Sequence, residues 1–446
     1  MSDQSSSAPA QPPWAAFVGI DWADQKHCWS LQPAEGGKVE RGEVENSPEA
    51  LGRWAAELER RFAGQPIAVG LEQPRGAVAY KILQYRHLVL HFVPPDMMAS
   101  YRKAFSTSGA KSDPRDADLI LELVVRHRDH LPVSKPDDPK TRLLHLLVED
   151  RRGLVDEKTR LVLRLIDCLK QYFPQILRWF PDPESPLVAA LLTRWGDLDH
   201  LQHSHPGTVR RFFRQHHCHG QDLLEQRLQA IYAATPATTD EVLVEAYTRK
   251  ARHLVKQLAL LREQIATLEK RIDELVKTHP DAPLFDALPG AGKVTVPRLI
   301  VAFGTDRDRY DSAYQLLCYS GIAPVREASG KSEVVRFRRA CPKFLRQTFH
   351  EFAAQSLRFC QWAKAFYDHQ RDRGKSHHAA VRALAYKWIR ILFRCWKNRK
   401  PYDEQQYIDS LRRRGALLTP ALTQATATNF AWKKVAGFQK LSENPS

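Results

Sequence analysis

Residues 16–24 read AFVGIDWAD, a short apolar run that spells a buried β-strand and stops at an acid, Asp21. Downstream, HCWSLQP (27–33) and GKVERGEVEN (37–46) supply two further strands, joined through the turn AEGG. SPEALGRWAAELERRFA (47–63) opens on a capping start, Ser47 followed by Glu49, and continues at helical periodicity. PIAVGLEQPRG (66–76) is another buried strand ending in an acid, Glu72. GAVAYKILQYRH (76–87) is helical, and LVLHFVPP (88–95) is a strand stopped by two prolines. The order βββαβαβ predicts a three-stranded antiparallel start that continues as a mixed sheet, an RNase H-like arrangement. No G-x-G-x-x-G or Walker loop follows a strand, so nucleotide binding of those types is excluded.

A second pair of acids follows. GAKSDPRDAD (109–118) puts Asp113 and Asp116 three apart at a helix start, on one face, with Asp113 where an N-cap would sit. Four carboxylates from two strand ends and one helix start can converge on a point. Convergent hard oxygens suit Mg²⁺ (or Mn²⁺), and two such ions stabilise the attacking and leaving oxygens of an in-line phosphoryl displacement. Taken singly, each acid is equally well read as a cap, a first-turn acid or a strand-end residue. Asp24 and Asp118 rank below these four.

The chain has 446 residues, enough for two or three domains, with 67 Lys and Arg against 51 Asp and Glu. The excess is concentrated: residues 326–400 hold 19 Lys/Arg and 5 Asp/Glu. Aromatic residues are interleaved there: Phe337, Phe344, Trp362, Phe366, Tyr367, Trp388 and Trp396. Such a block can neutralise phosphates and stack on bases, which points to nucleic acid. The plainer reading is a solvated basic face. Seven scattered cysteines without a C-x-x-C pair fit a reducing cytoplasm and argue against a disulfide framework or a zinc ribbon. No apolar run is long enough for a membrane span.

The spacing divides the chain into a disordered tail (1–14), an acid-bearing α/β domain (15–130), a helical spacer (140–280) with a small insert (186–235), a C-terminal domain (284–413) and a second tail (414–446). Within the spacer, Leu254, Leu258, Leu261, Ile265, Leu268, Ile272 and Leu275 form an a/d seam. It serves either an antiparallel hairpin with the 140–180 helix or a dimer; the hairpin is favoured. The insert carries His200, His203, His205, His216, His217 and His219 at no zinc-like spacing, and they read as polar surface. Leu288-Pro289-Gly290-Ala291-Gly292 lies between two helical stretches, a helix-hairpin-helix-like segment whose backbone N–H groups can meet phosphate. Ser329-Gly330 sits among Arg326, Lys331, Arg336, Arg338 and Arg339. On chemistry alone this dipeptide reads as a turn; the sharper alternative is an exposed nucleophile with arginines around the phosphate.

These pieces together resemble one family. GIDWADQKH, GLEQPRG and GAKSDPRDADL are similar to the three blocks of the DEDD domain in transposases of the insertion-sequence-110 family. LPGAGKVTVPRLIVAFGTDRDRYDSAYQLLCYSGIAPVREASGK resembles that family's second region, and YDHQRDRGKSHHAAVRALAYKWIRILFRCW its C-terminal helices. The resemblance implies a RuvC-like first domain with Asp21, Glu72, Asp113 and Asp116 as metal-binding acids. It implies Ser329 as the nucleophile that joins covalently to DNA, in a site-specific recombinase acting on element ends or junctions and on target DNA. It further implies a bridging non-coding RNA that selects both DNAs. Protomers would assemble as dimers paired into a tetramer, the acids of one and the serine of another forming a composite site. Gly290, Gly292, Lys331, Arg336, Arg338 and Arg339 become the expected nucleic-acid contacts, and the bacterial cytoplasm the expected location. The chain departs from the family at Q-P-R-G after Glu72, in its long spacer and in its tails. Two other readings stay open: a RuvC-like metal nuclease on branched DNA, and a non-enzymatic coiled-coil nucleic-acid-binding protein.

Overall fold

The computed structural model describes residues 14–73, 76–105, 112–218, 220–330 and 332–413. The expected tails and His219 therefore fall outside the described residues, apart from Trp14. The chain divides into two compact units, 1–136 and 137–446.

The first unit is built on a five-stranded sheet. Its strands are β1 (Ala16–Asp21), β2 (Lys26–Pro33), β3 (Glu40–Glu45), β4 (Ile67–Leu71) and β5 (Leu88–Phe92), in the order β3-β2-β1-β4-β5. β1, β2 and β3 pair antiparallel, and β1, β4 and β5 run parallel. This is the mixed sheet expected of an RNase H-like domain. The two central strands β1 and β4 are apolar and buried on both faces, as central parallel strands are. β3 alternates charged and small residues, as suits an edge. The other edge is covered by the chain itself. Phe92 N–H donates to Pro132 O (3.0 Å) and Ser134 N–H to Leu90 O (2.7 Å), with His91 opposite Val133.

One face is covered by α1 (Pro48–Arg61) and α2 (Ala77–Ile82), whose Leu51, Trp54, Leu58, Val78 and Ile82 pack on Ile20, Val69 and Leu90. Ser47 caps α1 as expected, accepting Ala50 N–H at 3.1 Å. The opposite face is covered by α3 (Pro95–Phe105) and α4 (Asp113–His127). No local pattern in the sequence marks α3. The second proline after β5, read there as a stop, is instead the first residue of that helix, a position where its missing N–H costs nothing.

Two glycines decide how close α4 lies. A Cβ on Gly19 would stand 2.3 Å from both Ala117 O and Leu121 N, and one on Gly70 2.5 Å from Val124 Cγ2. Helix backbone therefore rests on strand backbone at β1, an approach only glycine permits there.

The second unit begins with a long helical pair. α5 (Pro139–Tyr172) and α11 (Glu241–Lys277) run antiparallel: Lys140 Nζ donates to Thr278 O at 2.9 Å, Arg151 Nε to Glu269 Oε1 at 2.8 Å, and Cys168 lies against Tyr247 O. The 250–279 seam thus closes within one chain, with Leu254, Leu258, Leu261, Ile265, Ile272 and Leu275 buried. Between the two helices stand α6 (Gln175–Trp179), α7 (Pro186–Arg194), α8 (Leu198–Gln202), α9 (Pro206–Gln215) and α10 (Gln221–Tyr232), around a core of Phe173, Leu191, Phe212, Phe213 and Ile231. Among the described residues, no three His, Cys, Asp or Glu stand close enough to hold one metal ion, in this insert or elsewhere.

After α11 come α12 (Ala282–Asp286), α13 (Thr295–Phe303) and α14 (Ala313–Tyr319), the hairpin β6 (Val325–Ser329)–β7 (Ser332–Arg336), and then α15 (Lys343–Ser356), α16 (Gln361–Asp372), α17 (His377–Asn398) and α18 (Glu404–Arg413). These helices share one core with the start of α5 and the end of α11. That core corrects the reading of the aromatics. Trp362, Trp388 and Trp396 are fully buried, with indole N–H groups given to Tyr402 Oη, Ser356 Oγ and Gly304 O. Phe344, Phe366 and Tyr367 pack against the same core. Of the seven aromatics read as base-stacking, Phe337 alone is largely exposed, at 43%. The spacing that resembled a stacking ladder is the inward stripe of amphipathic helices.

A buried polar knot ties the base of the long pair. Thr141 Oγ donates to Asp138 and lies 2.8 Å from His279 Nε2, while His279 Nδ1 accepts the Asp281 N–H at 3.1 Å. Asp281 also pairs with Arg307. This fixes His279 as neutral, with its proton on Nε2. Burial lowers its pKa against the opposing pull of Asp281 and Asp138; Lys140 and Arg307 add to the lowering. Burial lowers His27, His91 and His350 likewise. These groups stay neutral in the fold but take up protons in the unfolded chain below about pH 6.5. Their contribution is complete above that pH and is lost as the pH falls through it. The thermal midpoint is therefore expected to fall between pH 7.5 and 5.5, with a shallower slope in His279→Asn.

Candidate active site

Asp21 closes β1 and lies opposite Cys28 of β2. Ile20 is in register with Leu71 of parallel β4, so Glu72, one residue beyond the strand, leaves the sheet beside Asp21. Both acids are half-buried. They stand at the carboxyl ends of adjacent parallel strands, where open α/β sheets hold their ligands. α4, seated on Gly19, brings Asp113 to the same place. The Cys28 thiol is pushed up by burial first, then by the negative charges of Glu43, Asp113 and Asp21. One side chain thus feels an acid from the strand end and another from the helix start.

The helix start differs from expectation in one respect. Ser112 is the N-cap, and Asp113 is the first helical residue, exposed. Asp116 is 4% exposed, and its Oδ1 accepts from Arg102 Nη2 of α3 at 2.7 Å. Nothing in the sequence marked Arg102. Asp118, ranked low, is committed elsewhere: its Oδ1 accepts from Ser30 Oγ at 2.7 Å and from Arg41 Nε at 2.9 Å, which fastens α4 to β2 and β3. Pro74 and Arg75 of the Q-P-R-G departure, and Lys111, lie outside the described residues.

In chemistry the four acids fit a divalent metal, being all hard carboxylate oxygens on the rim of one sheet. In placement no three of them come within one ion's reach, and Asp116 is engaged by Arg102.

In the second unit, Ser329 is the last residue of β6, paired with Ser332 across a two-residue turn. Gly330 has φ +56°, a conformation side chains rarely adopt, which accounts for the glycine after the serine. Much of the ribbon is exposed, with Val334 at 44% and Val335 at 60%. Arg336 pairs with Glu327 at 3.0 Å and remains largely exposed, as does Arg339. Arg338 turns inward, its Nε donating to Ala323 O at 3.4 Å, so it serves the root of the ribbon. Phe337 lies between two guanidiniums, Arg346 at 4.9 Å and Arg382 at 4.7 Å from its ring centre. Lys331 lies outside the described residues. From sequence this ribbon reads as a polar segment with a turn, whereas the structure makes both of its arms strands. The available signal was β-branched valines, Val325, Val334 and Val335, on both sides of a Gly-Lys turn pair.

The Leu288–Gly292 turn joins α12 to α13 as expected. Gly290 has φ +81°, and a Cβ there would meet Phe359 at 2.8 Å, so that glycine packs against the end of α15. Gly292 faces open space. A cavity of about 320 Å³ beside it is lined by Asp273, Lys277, Asp286 and Lys293 among others, and burial holds Asp286 above the usual carboxylate range.

A mixed sheet with acids gathered at its rim, joined to a basic helical unit, defines a class of DNA-processing enzyme that comparison makes specific. A family model described as transposase, for the DEDD domain of the IS110 type, matches residues 18–174. A second, described as transposase of the IS116/IS110/IS902 family, matches residues 282–368. The chain belongs to the IS110 family of transposases, enzymes of phosphoryl transfer on DNA. It is similar to a mini-circle protein assigned as the transposase for IS117 of Streptomyces coelicolor, 25% identical over 409 residues, 87% of this chain and 96% of the relative. It is also similar to the 42 kDa protein of insertion element IS900 from Mycobacterium paratuberculosis, 26% identical over 398 residues, 88% of this chain and 98% of the relative. A third relative is the pilin gene-inverting protein of Moraxella bovis, 28% identical over 153 residues, 32% of this chain and 46% of the relative. Membership implies DNA binding, and the DEDD domain implies a divalent metal. Among the described residues no helix is long and apolar enough to cross a membrane.

Proposed function

We propose that this chain is a site-specific DNA recombinase that mobilises an insertion element through a covalent serine–DNA intermediate. The observation that carries the reading is the position of Ser329, exposed at the tip of a ribbon and followed by a glycine that carries no side chain and faces open space. Ser329 Oγ attacks a scissile phosphorus. The new P–O bond to serine forms as the bond to the leaving deoxyribose oxygen breaks, and the proton lost by serine ends on that oxygen. The freed hydroxyl of the partner duplex then attacks the phosphoserine, and serine regains its proton. Each step exchanges one phosphoester for another, so no nucleotide hydrolysis is needed.

Asp21, Glu72 and Asp113, with Asp116 once released from Arg102, are the residues to hold divalent metal in a RuvC-like site. The metal supplies charge stabilisation at the phosphoryl oxygens. Gly292, Arg336 and Arg339 are open positions for phosphate contact, and the turn before α13 acts as a helix-hairpin-helix. Similarity to a protein named for inverting a gene supports rearrangement at defined sites. A bridging RNA selects donor and target by base pairing, and protomers act as dimers paired into a tetramer. The seam that could have made a dimer is filled within the chain, so the dimer uses other surfaces of the long pair, where Leu146, Leu163 and Leu260 are exposed.

The test is to mix full-length protein with Mg²⁺, labelled element-junction and target DNA, and RNA transcribed from the element's flank. A protein–DNA adduct on denaturing gels is expected. Asp113→Ala should lower its yield by about 10²-fold or more while DNA retention on filters stays within about twofold. Cleavage without an adduct in the parent protein would overturn the serine step.

A further inference from the structure

We infer that Arg102 occupies the place of the metal's charge at Asp116, so that metal must displace this guanidinium to recruit the fourth acid. The inference rests on the reading of the acids as a metal site. Asp116 is 4% exposed, and a carboxylate so placed is costly without a cation. Arg102 supplies one at 2.7 Å. The guanidinium comes from a docked helix rather than a free surface arm. Met98 of α3 is buried among Ile120, Leu121 and Val124 of α4, and the Tyr101 ring meets the His127 ring edge-on at 6.0 Å.

The seating is nonetheless incomplete, because Arg102 Nε is buried without a hydrogen-bond partner. A donor left unmade in this way weakens its hold relative to a bidentate fork. Arg102 and a divalent ion at the same carboxylate would repel one another. Among the described residues no three His, Cys, Asp or Glu stand within one ion's reach, and the Asp116 carboxylate is held by Arg102. The Arg102–Asp116 pair joins a cation to the most buried of the four acids. Arg102 is therefore a positioning residue: it keeps Asp116 ionised and aimed until metal arrives.

The experiment uses the full chain with MnCl₂ alone or MgCl₂ alone at fixed ionic strength, reading the thermal midpoint against metal concentration. The variants are Arg102→Gln, Arg102→Lys, Asp116→Asn and Asp21→Asn. Arg102→Gln is expected to melt below the parent without metal and to reach half its metal-induced rise at about tenfold lower Mn²⁺. Arg102→Lys should restore the parent's response, which a merely packing role would not do. In Asp116→Asn the response should no longer depend on residue 102. If Arg102→Gln folds only when Mn²⁺ is present, the inference is supported; if it fails to fold with Mn²⁺ as well, the arginine is structural and the inference falls. An unchanged or higher half-point in Arg102→Gln also overturns it. If Asp21→Asn leaves the parent's metal response intact, the acids do not hold the metal, and the site reading fails along with the inference. If Asp21→Asn removes the response while Arg102→Gln leaves the half-point unmoved, only the role of Arg102 fails.

Discussion

Ser329→Ala protein should fold as its parent does and yet form no covalent link to DNA. The side chain is exposed at the end of β6, so its loss removes no packing, and alanine retains the backbone pairing to Ser332. A surface change of this kind is worth no more than about 0.5 kcal/mol in stability. Adduct formation and recombination should fall by at least about 10³-fold, the scale seen when a nucleophile is removed. The control is Ser332→Ala. Ser332 carries the same hydroxyl directly across the ribbon, but no glycine follows it, and this variant should retain most of the activity. An adduct that persists in Ser329→Ala and vanishes in Ser332→Ala would move the nucleophile to the other strand. DNA cutting by Ser329→Ala at the parent's rate would indicate that water attacks the phosphate.

Gly19→Val carries the second large effect, and it begins in the fold. The Cβ at this position would sit 2.3 Å from two backbone atoms of α4, and neither can rotate away. α4 has to lift from β1, which exposes Leu121 and Ile120 to poorer packing. Overpacking against backbone should cost about 3 kcal/mol or more. Because Asp113 and Asp116 ride on the first turn of α4, the same displacement should remove the metal-induced rise in thermal midpoint. Gly153→Ala is the matched comparison. That glycine lies within α5 with nothing near its Cβ position, and alanine there should be neutral or stabilising by up to about 1 kcal/mol. If Gly19→Val melts with the parent and still responds to metal, then α4 is not what brings the helix acids to the sheet.

The parts of this molecule that could be read from its residues are those where one period or one cap decides the outcome. The buried run of β1 ends at Asp21, and that of β4 stops one residue before Glu72, close to where the sequence puts both ends. The 250–279 seam is a buried helix face, because spacings of three and four leave no other geometry open. The harder parts depend on partners far along the chain. Arg102 and Asp116 are fourteen residues apart and on different helices, and no local pattern joins them. The tryptophans of α16 and α17 looked like platforms for bases because basic residues flank them. Amphipathic helices alternate in that same way, with cations outward and indoles inward. The helix at 95–105 was hidden by its own first residue, since proline both ends strands and begins helices.

The strip of chain from Pro132 to Ser134 has a consequence for solubility. Laid along β5, it takes up the backbone groups that an edge strand would otherwise present. On the far edge, Glu40, Arg41, Glu43 and Glu45 place four charged residues along β3. A foreign strand therefore finds one border already paired and the other electrostatically hostile. At high local concentration an open sheet border can template pairing between chains. With one border paired and the other charged, the acid-bearing sheet resists the addition of a foreign strand.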